Sequence, residues 1–217
     1  PGLMGASLLG LLTLPAQAVV DVTSHLELLG NPTQKQYDAH PYARNVWDME
    51  VEGNRIYLGS GNSSNKGPSP NAGPAHVYYF DTATQKFIDT FTTNDEQIER
   101  FVRLQNTLYI PGHDPRASDP ASIYRLSTDG NWSRIAMDGV HIYDLQEFNR
   151  SVWVGRGIFA YQRNPLVSTN LPSFLSNQPD WSYLPAPSVG QNTSRFYHFF
   201  QVGKTLLATG APLLGED

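Results

Sequence analysis

The sequence predicts an all-β protein assembled from repeats, and three observations carry that expectation. A short phrase is stated four times: DMEVEGNRIYLGSG at residues 48–61, RFVRLQNTLYIPGH at 100–113, DLQEFNRSVWVGRG at 144–157 and HFFQVGKTLLATGA at 198–211. Each copy is an apolar run, a polar turn centred on Gly or Asn, and an apolar or aromatic triplet that closes on Gly or Pro-Gly. The turn positions Asn54, Asn106, Arg150 and Lys204 recur at spacings of 52, 44 and 54 residues. Composition agrees: 11 Tyr, 4 Trp, 18 Gly and 16 Pro against 3 Met in 217 residues suit many short strands joined by tight turns.

Each copy reads as strand, turn, strand. In the first, Met49 to Glu52 and Arg55 to Leu58 flank a Gly53-Asn54 turn. The turn-former run GSGNSSNKGPSPNAGP at 59–74 reads as a long surface loop. A second hairpin follows at 76–92 (HVYYFDTATQKFIDTFT), and its counterpart in the next unit is SIYRLSTDGNWSRIAM at 122–137. Val77 matches Ile123, Phe80 matches Leu126, and Phe87 matches Trp132 after one gap. Units one and two therefore hold four strands each. A period near 50 residues with four strands per period is the pattern of a β-propeller, with repeat starts near 46, 98, 142 and 196. The third unit departs from the pattern, and its Pro/Ser/Asn-rich stretch at 164–187 reads as an insert. Residues 46–217 amount to about three and a half blades. Because a propeller closes with four to eight blades and open sheet edges invite pairing, the expectation is a partial β-propeller, a fragment of a longer chain.

Residues 1–18 stand apart. LMGASLLGLLTLPAQA is an apolar stretch short for a bilayer crossing, and it ends on Ala16-Gln17-Ala18, an A-x-A signal-peptidase pattern with its basic n-region missing. The expectation is a signal peptide cleaved before Val19, a secreted or periplasmic protein, and no membrane in the mature form; a buried helix or an uncleaved anchor is the alternative. Residues 19–45 form a weakly patterned lead-in, read as an edge strand and a loop. With no Cys, stability rests on packing rather than disulfides, and thiol nucleophiles are excluded.

FDTATQKF resembles the outer hairpin of kelch, quinoprotein-type and WD-repeat propellers, in which D-x-x-T-G-K/Q turns recur. STDGNW is similar to a shortened Asp-box of sialidase-like propellers, with one spacer missing. The likeness extends over most of 46–210 at the level of fold and brings no catalytic set with it.

Net charge is −5, from 15 Lys and Arg against 20 Asp and Glu, which argues against a nucleic-acid partner. If the repeated phrase opens the innermost strand of each blade, Asp48, Arg100, Asp144 and His198 share one register position around a channel mouth. His40, Tyr42 and Arg44 lie just upstream, and His141 and Tyr143 flank the third copy. Candidate acid and base groups are Asp48, Asp144, His141 and His198; candidate ligand-binding residues are His40, Arg44, Arg100 and Tyr143. The plain alternative is that these groups face a solvated channel and pair with one another. His113-Asp114-Pro115-Arg116 reads more simply as a turn than as a binding loop. No zinc or EF-hand spacing occurs and no cofactor is implied. Asn62, Asn131, Asn149 and Asn192 head N-x-S/T sequons. SRFYHFF at 194–200 reads as core, with alternation pointing Phe196 and Phe200 inward. The functional expectation is a binding or scaffold propeller recognising a glycan or a protein at the channel mouth. The alternative is a propeller hydrolase or lyase acting on carbohydrate.

Overall fold

The computed structural model describes residues 23–37, 41–63, 73–116, 119–137, 139–157, 166–184 and 193–212. The chain divides into two compact units, Pro1–Gly30 and Asn31–Asp217. In the first, a 3-10 turn spans Thr23–His25. The expected signal peptide and His40 lie outside the described residues. No described helix is long and apolar enough to cross a membrane.

The second unit is antiparallel β-structure. Among the described residues its lead-in carries no edge strand; a turn at 32–37 and a 3-10 helix at Pro41–Arg44 stand there instead. Few apolar residues there could pattern a strand, and side-chain bonds hold it instead. Tyr78 donates to Gln36 at 2.7 Å, Gln36 to the Pro74 carbonyl at 3.2 Å, and the Gly61 N–H to the Ala43 carbonyl at 3.0 Å.

Strands β1 (Asp48–Glu52), β2 (Arg55–Gly59), β3 (His76–Asp81) and β4 (Lys86–Thr92) form the first sheet in chain order. β5 (Val102–Leu104), β6 (Thr107–Pro111), β7 (Ser122–Leu126) and β8 (Trp132–Ala136) form the second in the same order. The third unit is not an insert after a hairpin. β9 (His141–Phe148), β10 (Ser151–Gly157), β11 (Leu166–Asn170) and β12 (Ser182–Leu184) again pair in succession. A single helical turn, α1 (Leu171–Leu175), capped by Asn170, sits between the last two. Polar composition hid β11, although its Val167 and Thr169 point inward and are buried. Finally β13 (Thr193–Val202) and β14 (Thr205–Pro212) make a hairpin joined to β10 through the Gly157–Arg195 pair.

The turns of the repeated phrase are all two-residue loops, closed by the pairs Glu52–Arg55, Leu104–Thr107, Phe148–Ser151 and Val202–Thr205. Gln105-Asn106 and Asn149-Arg150 hold φ of +46° and +61°, and +51° and +62°, the conformation whose twist matches a right-handed hairpin.

Apolar packing lies between successive sheets. Tyr57 and Val77 of the first meet Leu108, Ile110 and Tyr124 of the second in one core cluster. Tyr109 and Ile123 of the second join Leu145, Val152, Val154 and Val167 of the third in another. The two central strands of the second sheet, β6 and β7, are covered on both faces and buried along nearly their whole length, whereas β5 and β8 alternate or carry exposed positions.

The predicted inward pair in 194–200 is half right. Phe196 is buried, but Phe200 is 51% exposed and Phe199 is buried in its place. A register shift between Phe196 and His198 breaks the two-residue period. The predicted surface loop at 59–74 also begins inside the protein: Ser60 and Asn62 are buried, and Gly61 bridges Gln97.

Candidate functional site

The repeated phrase builds a repeated seam. Asp48 Oδ2 accepts the Phe101 N–H at 2.6 Å, and Asp144 Oδ2 accepts the Phe199 N–H at 2.9 Å. The remaining oxygens accept the N–H of the next residue, Met49 and Leu145, at 2.9 and 2.8 Å. Eleven positions on from each Asp, Gly59 and Gly155 lie against backbone of the following unit; a Cβ would stand 2.6 Å from the Ile98 carbonyl oxygen and 2.7 Å from that of Phe196. The Ile98 N–H donates to the Ser60 carbonyl at 2.7 Å, and Ile142 repeats this with Gly112 at 2.8 Å. Aspartate and glycine recur in the sequence because they are where one four-strand unit meets the chain that follows it.

At the middle seam Arg100 stands where the others have Asp. Its Nη1 lies 3.0 Å from Asp144 Oδ2 and 2.9 Å from His198 Nδ1. Three of the four predicted ring residues are thus brought together. Burial raises the pKa of Asp144, against the opposing pull of the Phe199 N–H and Arg100. Guanidinium only donates, so His198 accepts at Nδ1 and a neutral ring carries its proton on Nε2.

Asp48, Arg100 and His198 line a cavity of about 480 Å³ with Trp47, Glu99, Phe199 and Phe200. Trp47 is 46% exposed, and its indole N–H donates to the Gly61 carbonyl at 2.8 Å, which fixes the ring. Among the described residues, Arg100 Nε and Nη2 and Glu99 Oε1 have no protein partner.

Beside the cavity, His113 Nδ1 lies 2.6 Å from Glu99 Oε2. That contact lowers the pKa of Glu99. His141 Nδ1 donates to the His113 carbonyl at 2.8 Å and sits 3.4 Å from Asp114. Burial draws the His141 pKa down to about 4 and raises that of Asp114. Tyr143 stacks on His141, with ring centroids 5.4 Å apart, and packs on Tyr197 at 4.9 Å. Tyr143, expected to bind ligand, is itself buried. Arg44 donates from Nε to the Tyr37 carbonyl at 3.1 Å and lies outside the cavity lining. His113-Asp114, read as a turn, forms a bend that runs into an isolated bridge at Pro115. The Asp114 carbonyl accepts the Glu96 N–H at 2.8 Å, and Asp95 bridges Pro115. Among the described residues no group of three His, Asp or Glu could hold a metal ion.

Sequence reading followed the Asp48/Arg100/Asp144/His198 column and took only Tyr143 from its neighbour. One residue earlier in each copy stand Trp47, Glu99, Tyr143 and Tyr197, three aromatics and a carboxylate. That column carried the missing signal.

No family model matches the chain. No curated protein matches it. Among solved structures, the computationally designed protein Ika8 is similar at a TM-score of 0.43 and 10% identity, over 76% of this chain. The chain spans 42% of that designed protein's length. A likeness of this degree carries no argument.

Proposed function

We propose that this chain is part of a β-propeller that binds a glycan in the Trp47 cavity. Two four-stranded antiparallel meanders, followed by a six-stranded sheet whose first four strands again pair in succession, packed core to core and joined by a recurring seam, support the propeller reading. Export, resting on the Ala16-Gln17-Ala18 pattern, belongs to the same proposal and suits a glycan ligand.

Trp47 carries the binding reading. An exposed indole with its N–H already engaged offers a rigid flat face, and Arg100, Glu99 and His198 put donors and an acceptor beside it. A pyranose has apolar C–H faces and an equatorial belt of hydroxyls, so aromatic stacking with planar polar groups at the edge meets both demands. Binding is favoured over hydrolysis because Asp48 and Asp144 commit their oxygens to backbone N–H groups. The test is calorimetric titration of the chain against an oligosaccharide panel. Trp47→Ala should weaken binding at least about tenfold while the chain still unfolds cooperatively, as expected for truncating an aromatic anchor. A panel with no binder, or a binder indifferent to Trp47, removes this reading.

A further inference from the structure

Resting on the glycan reading, we infer that the cavity selects an uncharged sugar over both its acidic and its amino counterparts. The carrying observation is the sign pattern of one wall. Glu99 and Arg100 are consecutive residues that line the same cavity, half-exposed, with side-chain exposures of 37% and 35%. A carboxylate-bearing sugar that approached Arg100 would meet Glu99 and, behind Arg100, Asp144 at 3.0 Å. An ammonium-bearing sugar drawn to Glu99 would meet the Arg100 guanidinium.

Each charge is also anchored from behind. Arg100 is held by Asp144 and His198, and Glu99 by the 2.6 Å contact with His113, so neither swings away to admit a like-charged ligand. Asp48, on the same cavity, directs its oxygens to the Phe101 and Met49 N–H groups. A hydroxyl both donates and accepts, and can satisfy Glu99 Oε1 and the outer Arg100 nitrogens together with no like-charge contact. Trp47 and Phe200 supply the apolar faces for the ring.

The test is titration of the full chain with three oligosaccharides of matched length, a neutral hexose oligomer, a uronate oligomer and a glucosamine oligomer, at low and high salt. The neutral oligomer should bind at least about tenfold tighter than either charged one, as like-charge apposition disfavours the wrong ligand. Its affinity should change less than about twofold between the salt conditions, because screening acts on net charge. A charged oligomer that binds as tightly as the neutral one, with marked salt dependence, overturns the inference and leaves the glycan reading standing. Binding of none of the three overturns both. Glu99→Gln keeps the shape of the wall and should raise the affinity of the uronate oligomer relative to the neutral one by about tenfold. His113→Asn, which frees Glu99, should instead favour the glucosamine oligomer. If both variants rank the ligands as the unmodified chain does, the wall charges do not set specificity and the inference fails.

Discussion

Asp144 accepts the backbone N–H of Phe199, 55 residues away in sequence, at 2.9 Å. Asp48 and Phe101 repeat that bond one seam earlier. The carboxylate satisfies a donor that the incoming strand would otherwise leave buried, and an unsatisfied buried amide costs roughly 1–3 kcal/mol. Asp144→Ala, which also removes the Arg100 contact from a buried carboxylate, should destabilise by about 2–3 kcal/mol, the upper range for hydrogen bonds to a charged group. Asp48→Ala should cost about 1–2 kcal/mol. Urea unfolding checks the order of the two.

Gly155 lies so close to Phe196 that a Cβ would stand 2.7 Å from its carbonyl oxygen. Gly155→Ala should therefore cost about 1–3 kcal/mol, the range for overpacking against backbone that has to shift. A Cβ at Gly53 would meet nothing within 4 Å, but the residue holds φ at +61°. Alanine there meets only local backbone strain, about 1 kcal/mol. Thermal melts of the two variants separate packing from strain.

Arg150 holds φ at +62° in the β9–β10 turn, a region that disfavours side chains. Arg150→Gly should raise stability by about 0.5–1 kcal/mol. Differential scanning calorimetry would show the higher midpoint.

Two buried groups make opposing contributions to acid stability. Burial lifts the Asp95 carboxyl to about 6, against the 2.5 Å bond from the Tyr124 hydroxyl, and draws His141 down to about 4. Asp95 has its folded pKa above the unfolded value, so its stabilisation is complete below about pH 4 and is lost as pH rises through 6. His141 has its folded pKa below the unfolded value near 6.5, so its stabilisation is complete above that value and is lost as pH falls toward 4. Each effect is on the order of 2–3 kcal/mol, and between pH 4 and 6 they offset each other. Asp95→Asn should leave a chain that is steeply destabilised by acid across that window, and His141→Gln one that gains stability there as pH falls. Urea midpoints from pH 4 to 8 check both signs.

Most of the strand plan was legible, because period-two alternation and Gly/Asn turns are local signals that survive in any copy. The first two units show this: Val77 and Ile123, matched in sequence, are both fully buried. What escaped was set by distant contacts. β11 carries only Leu166 and Val167 as apolar residues and is a strand because β10 pairs along it. Phe200 turned outward because of a register shift that no local pattern announces. In the site, the Asp48/Arg100/Asp144/His198 column was visible, but the purpose of its carboxylates was not. A side chain that bonds backbone of the following unit looks, in sequence, like one that faces a ligand. Trp47 and Glu99 were missed for the reverse reason, since each looks ordinary until the fold places it beside Arg100.

The seam is most directly tested by hydrogen exchange at two amides, Phe101 and Phe199. Both should be strongly protected, and Asp48→Ala, which removes the acceptor, should accelerate exchange at Phe101 alone while Asp144→Ala accelerates it at Phe199 alone. Rapid exchange at both amides in the unmodified chain, or variants that leave the two rates unchanged, would contradict a repeated carboxylate-to-backbone seam.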